Sequence, residues 1–302
     1  MKVFVAGASG AIGQPLLAEL IRRGHEVTAM TRSAESAKKL ADLGAKTVEL
    51  SAYDAEGVAQ ALRTSGAEVV IDELTALPAD PMQMKDYAAG DRKLRLEGGG
   101  NLYRAALASG VRRYIQQASG FFLKASGDLA TEEDGLRVDA TPGVAASSQT
   151  YTELEARVLQ PGPIEGVSLR YGFFYGPKTW YNPDSAVAEH VRQQKYPVVG
   201  SGQGVWSWIR IDDAALATVE ALTIPAGVYN IVDDDPSPMS RWLPEFAAWV
   251  GAPAPKRVAE SLARVAAGED AVYYATKLSG ASNAKAKGTF GFKPRRLEWI
   301  KG

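Results

Sequence analysis

The stretch Lys2-Val3-Phe4-Val5-Ala6-Gly7-Ala8-Ser9-Gly10-Ala11-Ile12-Gly13 decides the fold. Residues 2–6 form a short apolar, β-branched run of strand length. A turn with glycines at 7, 10 and 13 follows. Beyond it, Ile12, Leu16, Leu17, Leu20 and Ile21 recur at helical spacing, and Gly24 ends that pattern. Pro15 sits in the first turn, where its missing N–H costs nothing. The sequence therefore predicts strand, glycine turn and amphipathic helix in immediate succession.

In that context the glycine spacing carries chemistry. Gly7 permits a tight turn, Gly10 leaves room for a backbone approach to a pyrophosphate, and Gly13 lets the helix pack close to the strand. The helix N-terminus then presents aligned N–H donors to an anion. A glycine-rich strand–helix turn without a ligand is the plainer alternative, and it leaves the agreement of strand, spacing and helix unexplained. The expected ligand is a nicotinamide dinucleotide, held by Gly7, Ser9, Gly10, Ala11, Ile12 and Gly13, with Leu74 contributing after the fourth strand.

The second strand bears on which dinucleotide. It runs Val27-Thr28-Ala29-Met30 and leads into Thr31-Arg32-Ser33. A site selective for NAD usually ends this strand with an acid on the ribose 2′-hydroxyl. None stands here, and Arg32 offers a planar cation to a 2′-phosphate. NADP(H) is the expected cofactor, with NAD(H) left open and Thr31, Arg32 and Ser33 as its adenosine-side contacts. A solvated loop arginine is the other reading of Arg32.

Outward from the turn, strand-like runs at 26–30, 45–49, 68–72, 113–117, 167–170 and 228–232 alternate with helix-length segments. This alternation predicts an α/β, doubly wound parallel sheet with helices on both faces and a smaller C-terminal substrate lobe. Helices are expected near 150–159, 186–194, 212–222 and 241–250. Residues 1–175 should mainly form the dinucleotide-binding domain and 176–302 mainly the lobe, with 206–232 returning to the first. No internal repeat is evident.

Composition narrows the function. The formal net charge of the 302 residues is -1, so no bulk positive field favours nucleic acid or an anionic membrane. The chain has no cysteine and only two histidines, His25 and His190, which argues against disulfides, thiolate nucleophiles and metal clusters. No apolar run approaches the ~20 residues needed to span a bilayer. The N-terminus does not read as a secretion signal. A cytoplasmic protein acting on a small molecule is expected.

Several further motifs carry a family likeness: Arg95-Leu96-Glu97-Gly98-Gly99-Gly100-Asn101-Leu102, Gln117-Ala118-Ser119, Leu169-Arg170-Tyr171-Gly172-Phe173-Phe174-Tyr175-Gly176-Pro177, Ile209-Arg210-Ile211-Asp212-Asp213-Ala214-Ala215 and Gly227-Val228-Tyr229-Asn230-Ile231. With the glycine turn they resemble the extended or atypical branch of the short-chain dehydrogenase/reductase superfamily, which includes NAD-dependent epimerases and dehydratases. The resemblance covers nearly the whole chain. It implies a Rossmann fold, a long central helix at Arg95–Leu102, a homodimer, a serine at Ser119 that bonds the substrate oxygen, and a Tyr-x-x-x-Lys pair. In that pair the hydroxyl exchanges a proton with substrate while the lysine lowers the phenol pKa and holds the ribose.

Here the pattern departs from the family. Tyr151 is followed four residues later by Glu155, whose charge would raise a phenol pKa. A second register puts Gln149 and Glu153 in the two positions. Neither supplies a lysine. Tyr151 is thus a candidate proton donor, a pocket wall or a structural residue. The substrate side is expected to be aromatic, with Phe121, Tyr175, Trp180 and Trp206 as loop-borne pocket walls. Lys178, Arg192 and Arg210 are the cations available to a sugar-nucleotide diphosphate, and Asp212 and Asp213 read as helix caps.

The expected function is an NADP(H)-dependent oxidoreductase acting on a carbonyl or alcohol of a small organic molecule. The alternatives are a nucleotide-sugar epimerase or dehydratase, and a non-catalytic NADP(H)-binding sensor.

Overall fold

The computed structural model describes residues 1–300. Seven strands, β1 (Lys2–Ala6), β2 (Glu26–Thr31), β3 (Lys46–Glu49), β4 (Val69–Asp72), β5 (Arg113–Ser119), β6 (Glu165–Tyr171) and β7 (Gly227–Ile231), form one sheet in the order β7-β6-β5-β4-β1-β2-β3. Every neighbouring pair is parallel. The doubly wound sheet expected from the sequence is therefore present, and its strand order reverses at β1. Ala6 stands in register with both Met30 of β2 and Asp72 of β4, so three strand ends converge at the reversal. Crevices for ligands open at such points.

Alternation along the strands explains why both faces are covered. Val3 and Val5 of β1, with Val69, Ile71, Ile115, Val167 and Leu169, face α1 (Gly13–Arg22) and the helix Ile211–Glu220. Phe4 and Ala6, with Val70 and Tyr114, face the other way, among Val58, Leu62, Leu102 and Val158 of the helices opposite. A side chain fully buried on either face contributes about 1.5–3 kcal/mol. A strand buried on both sides therefore has no solvated register to slip into.

The second core is rich in aromatic rings. Phe173, Tyr175, Tyr181, Trp206, Trp208, Trp242, Phe246 and Trp299 pack in one cluster that takes in Tyr273, Leu297 and Ile300 from the C-terminal segment. Helix Met239–Trp249 lies along it, close to the 241–250 read from sequence.

Two elements differ from their sequence expectation. The helix over the Tyr151 region begins at Pro142 and runs to Leu159, eight residues ahead of the expected start. Pro142-Gly143 reads as a breaker, yet a proline in the first helical turn is preorganised for a helix. The central helix is also not continuous. Met84–Lys93 is followed by a π-helical turn, Leu94–Gly98, and then by Gly99–Ala108. The cause lies in the triple glycine. A Cβ at Gly99 would stand 2.8 Å from the Asp72 carboxylate, and one at Gly98 3.0 Å from the Ala52 methyl. The close approach to β4 requires glycine, and the π-turn takes up the register just before it.

Candidate active site

Each glycine of the N-terminal turn has its own geometric reason. Gly7 adopts φ +83°, and a Cβ there would lie 2.3 Å from the Glu73 carbonyl oxygen. A Cβ at Gly13 would stand 2.2 Å from the Ala8 carbonyl oxygen. Gly10 is exposed and has only the Gly7 carbonyl nearby, at 3.2 Å. Two of the three glycines thus serve the turn and its packing, while the third leaves an open backbone surface. Helix α1 starts here with no side-chain cap and no acidic residue in its first turn. Uncapped N–H groups facing an unobstructed glycine suit an anion such as a dinucleotide pyrophosphate.

At the end of β2, Thr31 is buried, and Ser33 accepts a hydrogen bond from the Ser36 amide at 3.3 Å, capping helix Ala34–Asp42. Arg32 between them is exposed and joins no ion pair among the described residues. At the end of β4, Asp72 accepts from the Leu74 amide at 3.1 Å and from the Tyr114 hydroxyl at 2.7 Å. Glu73 is wholly buried. One of its oxygens accepts from the Tyr171 hydroxyl at 3.0 Å while the other has no partner. Burial, only partly opposed by that hydrogen bond, pushes its carboxyl up to about 8. Burial therefore favours the uncharged form of the residue beneath the glycine turn, which lessens its repulsion of an anion.

Ser119 ends β5, almost wholly buried, and its hydroxyl accepts weakly from the Phe121 amide at 3.4 Å. Tyr151 is partly buried against Phe122, their ring centroids 6.2 Å apart. Over the tyrosine ring lies the Arg95 guanidinium, 5.3 Å from its centroid. Burial raises the Tyr151 phenol above its ordinary value, Arg95 opposes this, and Asp91 adds to the rise.

The profile of the NAD dependent epimerase/dehydratase family matches residues 3–231. The chain belongs to that family. It is 38% identical to a 3-diazoavenalumate denitrifying reductase of a Streptomyces species, over the whole of this chain and 99% of the relative. It is 27% identical to the 2-alkyl-3-oxoalkanoate reductase of Stenotrophomonas maltophilia, over 84% of this chain and 77% of the relative. A solved UDP-glucose 4-epimerase of Thermotoga maritima, with UDP-glucose, superposes with a TM-score of 0.74. It spans 98% of this chain and 94% of its own at 19% identity, a likeness in fold alone.

Within this epimerase/dehydratase family member, the position four residues after Tyr151 is occupied in an unexpected way. Glu155 is buried in a two-point ion pair with Arg170 of β6 and also accepts from the Ser168 hydroxyl at 3.1 Å. Its charge is spent on the sheet, and the groups that shift the Tyr151 phenol are Arg95 and Asp91. The sequence expectation that Glu155 would raise that pKa is corrected: the carboxylate turns to β6. Gln149 and Glu153 bond to each other at 3.2 Å on the exposed face of the same helix. Arg95 was legible only as one residue of a glycine-rich helix motif, and no spacing in the chain links it to Tyr151.

The four aromatic wall candidates separate. Phe121 and Trp180 are partly exposed, and the Trp180 indole donates to the Pro78 carbonyl at 2.8 Å. Tyr175 and Trp206 lie in short strands rather than loops, Phe173–Tyr175 and Val205–Trp206, and both are buried. The pattern breakers around them hid these strands. Phe121 stacks on Phe173 at 4.2 Å, and Phe173 on Trp206 at 4.0 Å, so Trp206 backs the wall that Phe121 fronts. Tyr274, unnoticed in the sequence, closes the group beside Phe122 at 5.8 Å. Among the described residues, no cluster of His, Cys, Asp or Glu could hold a metal ion, and no helix is long and apolar enough to cross a membrane.

Proposed function

We propose that this protein is an NADP(H)-dependent reductase of a carbonyl group in a small planar or apolar molecule. The observation that carries the reading is the uncapped glycine turn at the sheet reversal, in one molecule with a cation-backed Tyr151 set among aromatic rings. Gly7, Ser9, Gly10, Ala11, Ile12 and Gly13 would hold the pyrophosphate, Thr31, Arg32 and Ser33 the adenosine ribose and its 2′-phosphate, and Leu74 the passage between. When bound, the nicotinamide supplies the hydride. Tyr151 delivers the proton to the substrate oxygen, and Ser119, whose hydroxyl accepts from the Phe121 amide and keeps its own O–H free to donate, orients that oxygen. Phe121, Trp180 and Tyr274 wall off water, with Tyr175 and Trp206 behind them. Two reductases among the relatives support the direction.

Two of the three cations that the nucleotide-sugar alternative would draw on are already in ion pairs. Lys178 bonds to Gln14, Arg192 to Glu189 and the Pro183 carbonyl, and Arg210 to Asp212 and Glu298. A cytoplasmic homodimer completes the proposal.

A second reading is favoured by the missing lysine. An aryl diazonium carbon that gains a hydride loses dinitrogen and needs no proton at an oxygen. A site without the Tyr–Lys pair suits that chemistry, and the 38% identical relative is named for a denitrifying reduction. The test is NADPH consumption with a panel of ketones, aldehydes and aryl diazo compounds, run with the parent enzyme and with Tyr151→Phe. Ketone reduction that falls about 100-fold or more in the variant is expected. Dinitrogen release that survives Tyr151→Phe would establish the second reading. NADPH binding without either reaction would overturn both.

A further inference from the structure

We propose that Arg95 is the positioning residue for Tyr151, supplying from the π-helical turn after β4 the positive charge that Glu155, four residues after the tyrosine, does not. This rests on the reading of Tyr151 as proton donor. Arg157, further along the tyrosine's helix, is directed to Asp72 and Gln116.

Arg95 is 4% exposed, and its guanidinium carbon lies 5.3 Å from the Tyr151 ring centroid. A buried guanidinium persists only where partners fix it. Here Nε donates to Asp91 Oδ2 at 2.7 Å, and Asp91 Oδ1 accepts the Ala76 amide at 2.7 Å. On its other side, Nη1 donates to Gln117 Oε1 at 3.3 Å, two residues before Ser119 on β5. The loop after β4, the π-turn and the end of β5 therefore converge on one cation beneath the phenol ring. A π-turn aims a side chain that a continuous helix would carry elsewhere, and such turns recur at functional sites.

The surroundings leave Arg95 as the cation that acts on Tyr151. The groups facing the phenol are Arg95 and Asp91 from the segment after β4, and Tyr274 from helix Glu269–Thr276. Glu155, one turn along the same helix, is held by Arg170. Arg95 favours the phenolate left after proton transfer, while Asp91 opposes it and keeps Arg95 in place. The plainer reading is that Arg95 only staples the π-turn to β5 and stacks on a ring by contact. That role predicts no effect of charge on the phenol.

Fluorotyrosine placed at position 151, whose phenol ionises at lower pH than tyrosine, separates the two by fluorine NMR titration. In the paired neutral variant Arg95→Gln with Asp91→Asn, the ionisation is expected to move up by about one pH unit. In Arg95→Lys it should stay near the parent value. In Asp91→Asn alone it should move down, so the proposal remains testable if the paired variant fails to fold. Turnover should fall at least tenfold in the paired variant, with KM for NADPH unchanged. An ionisation that stays in place in every variant would overturn the proposal. If turnover survives Tyr151→Phe while the titration shifts as expected, the proton-donor reading fails and the coupling of Arg95 to the phenol stands.

Discussion

Arg170 grips Glu155 by two points, Nε to Oε1 at 2.7 Å and Nη2 to Oε2 at 2.8 Å, between strand β6 and the helix that carries Tyr151. The carboxylate four residues after Tyr151 is thus one half of a buried ion pair. Placing a lysine there is expected to damage the protein rather than improve it. Glu155→Lys would set an ammonium against the Arg170 guanidinium and lose about 3–5 kcal/mol of stability, read as a fall in the midpoint of denaturant unfolding. A stable Glu155→Lys variant with raised turnover would contradict this account.

Cofactor preference is expected to turn on Arg32. With the side chain exposed at the end of β2, Arg32→Ala should leave folding untouched. The loss of a charge-assisted bond to the 2′-phosphate, about 1.5–3 kcal/mol, would weaken NADPH by one to two orders of magnitude. NADH should bind as before. Fluorescence titration of the two cofactors measures both, and an equal response would assign the 2′-phosphate elsewhere.

The glycines of the turn should divide by function. Gly13→Ala forces a methyl to within 2.2 Å of the Ala8 carbonyl and must shift helix α1, at a cost of about 1–3 kcal/mol. Gly10→Ala meets only one carbonyl at 3.2 Å, so its melting temperature should hardly move while NADPH affinity drops. Thermal unfolding with and without NADPH distinguishes the two. Equal melting temperatures for the variants without NADPH would refute the division.

Glu73 gives the protein a pH dependence of defined sign. Its folded-state carboxyl is raised from 4.5 to about 8, so between these values the folded chain binds more proton than the unfolded chain. Stability from this group is therefore full below pH 4.5 and declines as pH climbs towards 8. Glu73→Gln, which keeps an acceptor for the Tyr171 hydroxyl, should flatten that decline. Its gain at pH 8 should be on the order of a few kcal/mol, with little change at pH 5. Melting curves across this range provide the check, and a parallel shift at every pH would disprove it.

The sequence exposed the sheet because each of its signals is local. Val3 to Ala6 alternate between two buried faces, and Gly7, Gly10 and Gly13 punctuate the turn within one short stretch. The buried aromatic strands were harder to see. Tyr175 is followed by Gly176-Pro177 and Trp206 is preceded by Gly202 and Gly204, so both read as loop residues. Trp206 is buried against Phe173 and Trp242, and Tyr175 against Trp299, partners from other parts of the chain.

By itself the sequence determined the doubly wound fold, the glycine turn and the absence of lysine after Tyr151. These depend on periodicity, glycine placement and residue identity, which neighbours along the chain express. The tertiary structure alone decided which charges meet. It gave Glu155 to Arg170 and put Arg95 under Tyr151, because electrostatic coupling depends on distance in space and on burial. Neither is encoded in the spacing of residues that lie on separate strands and helices.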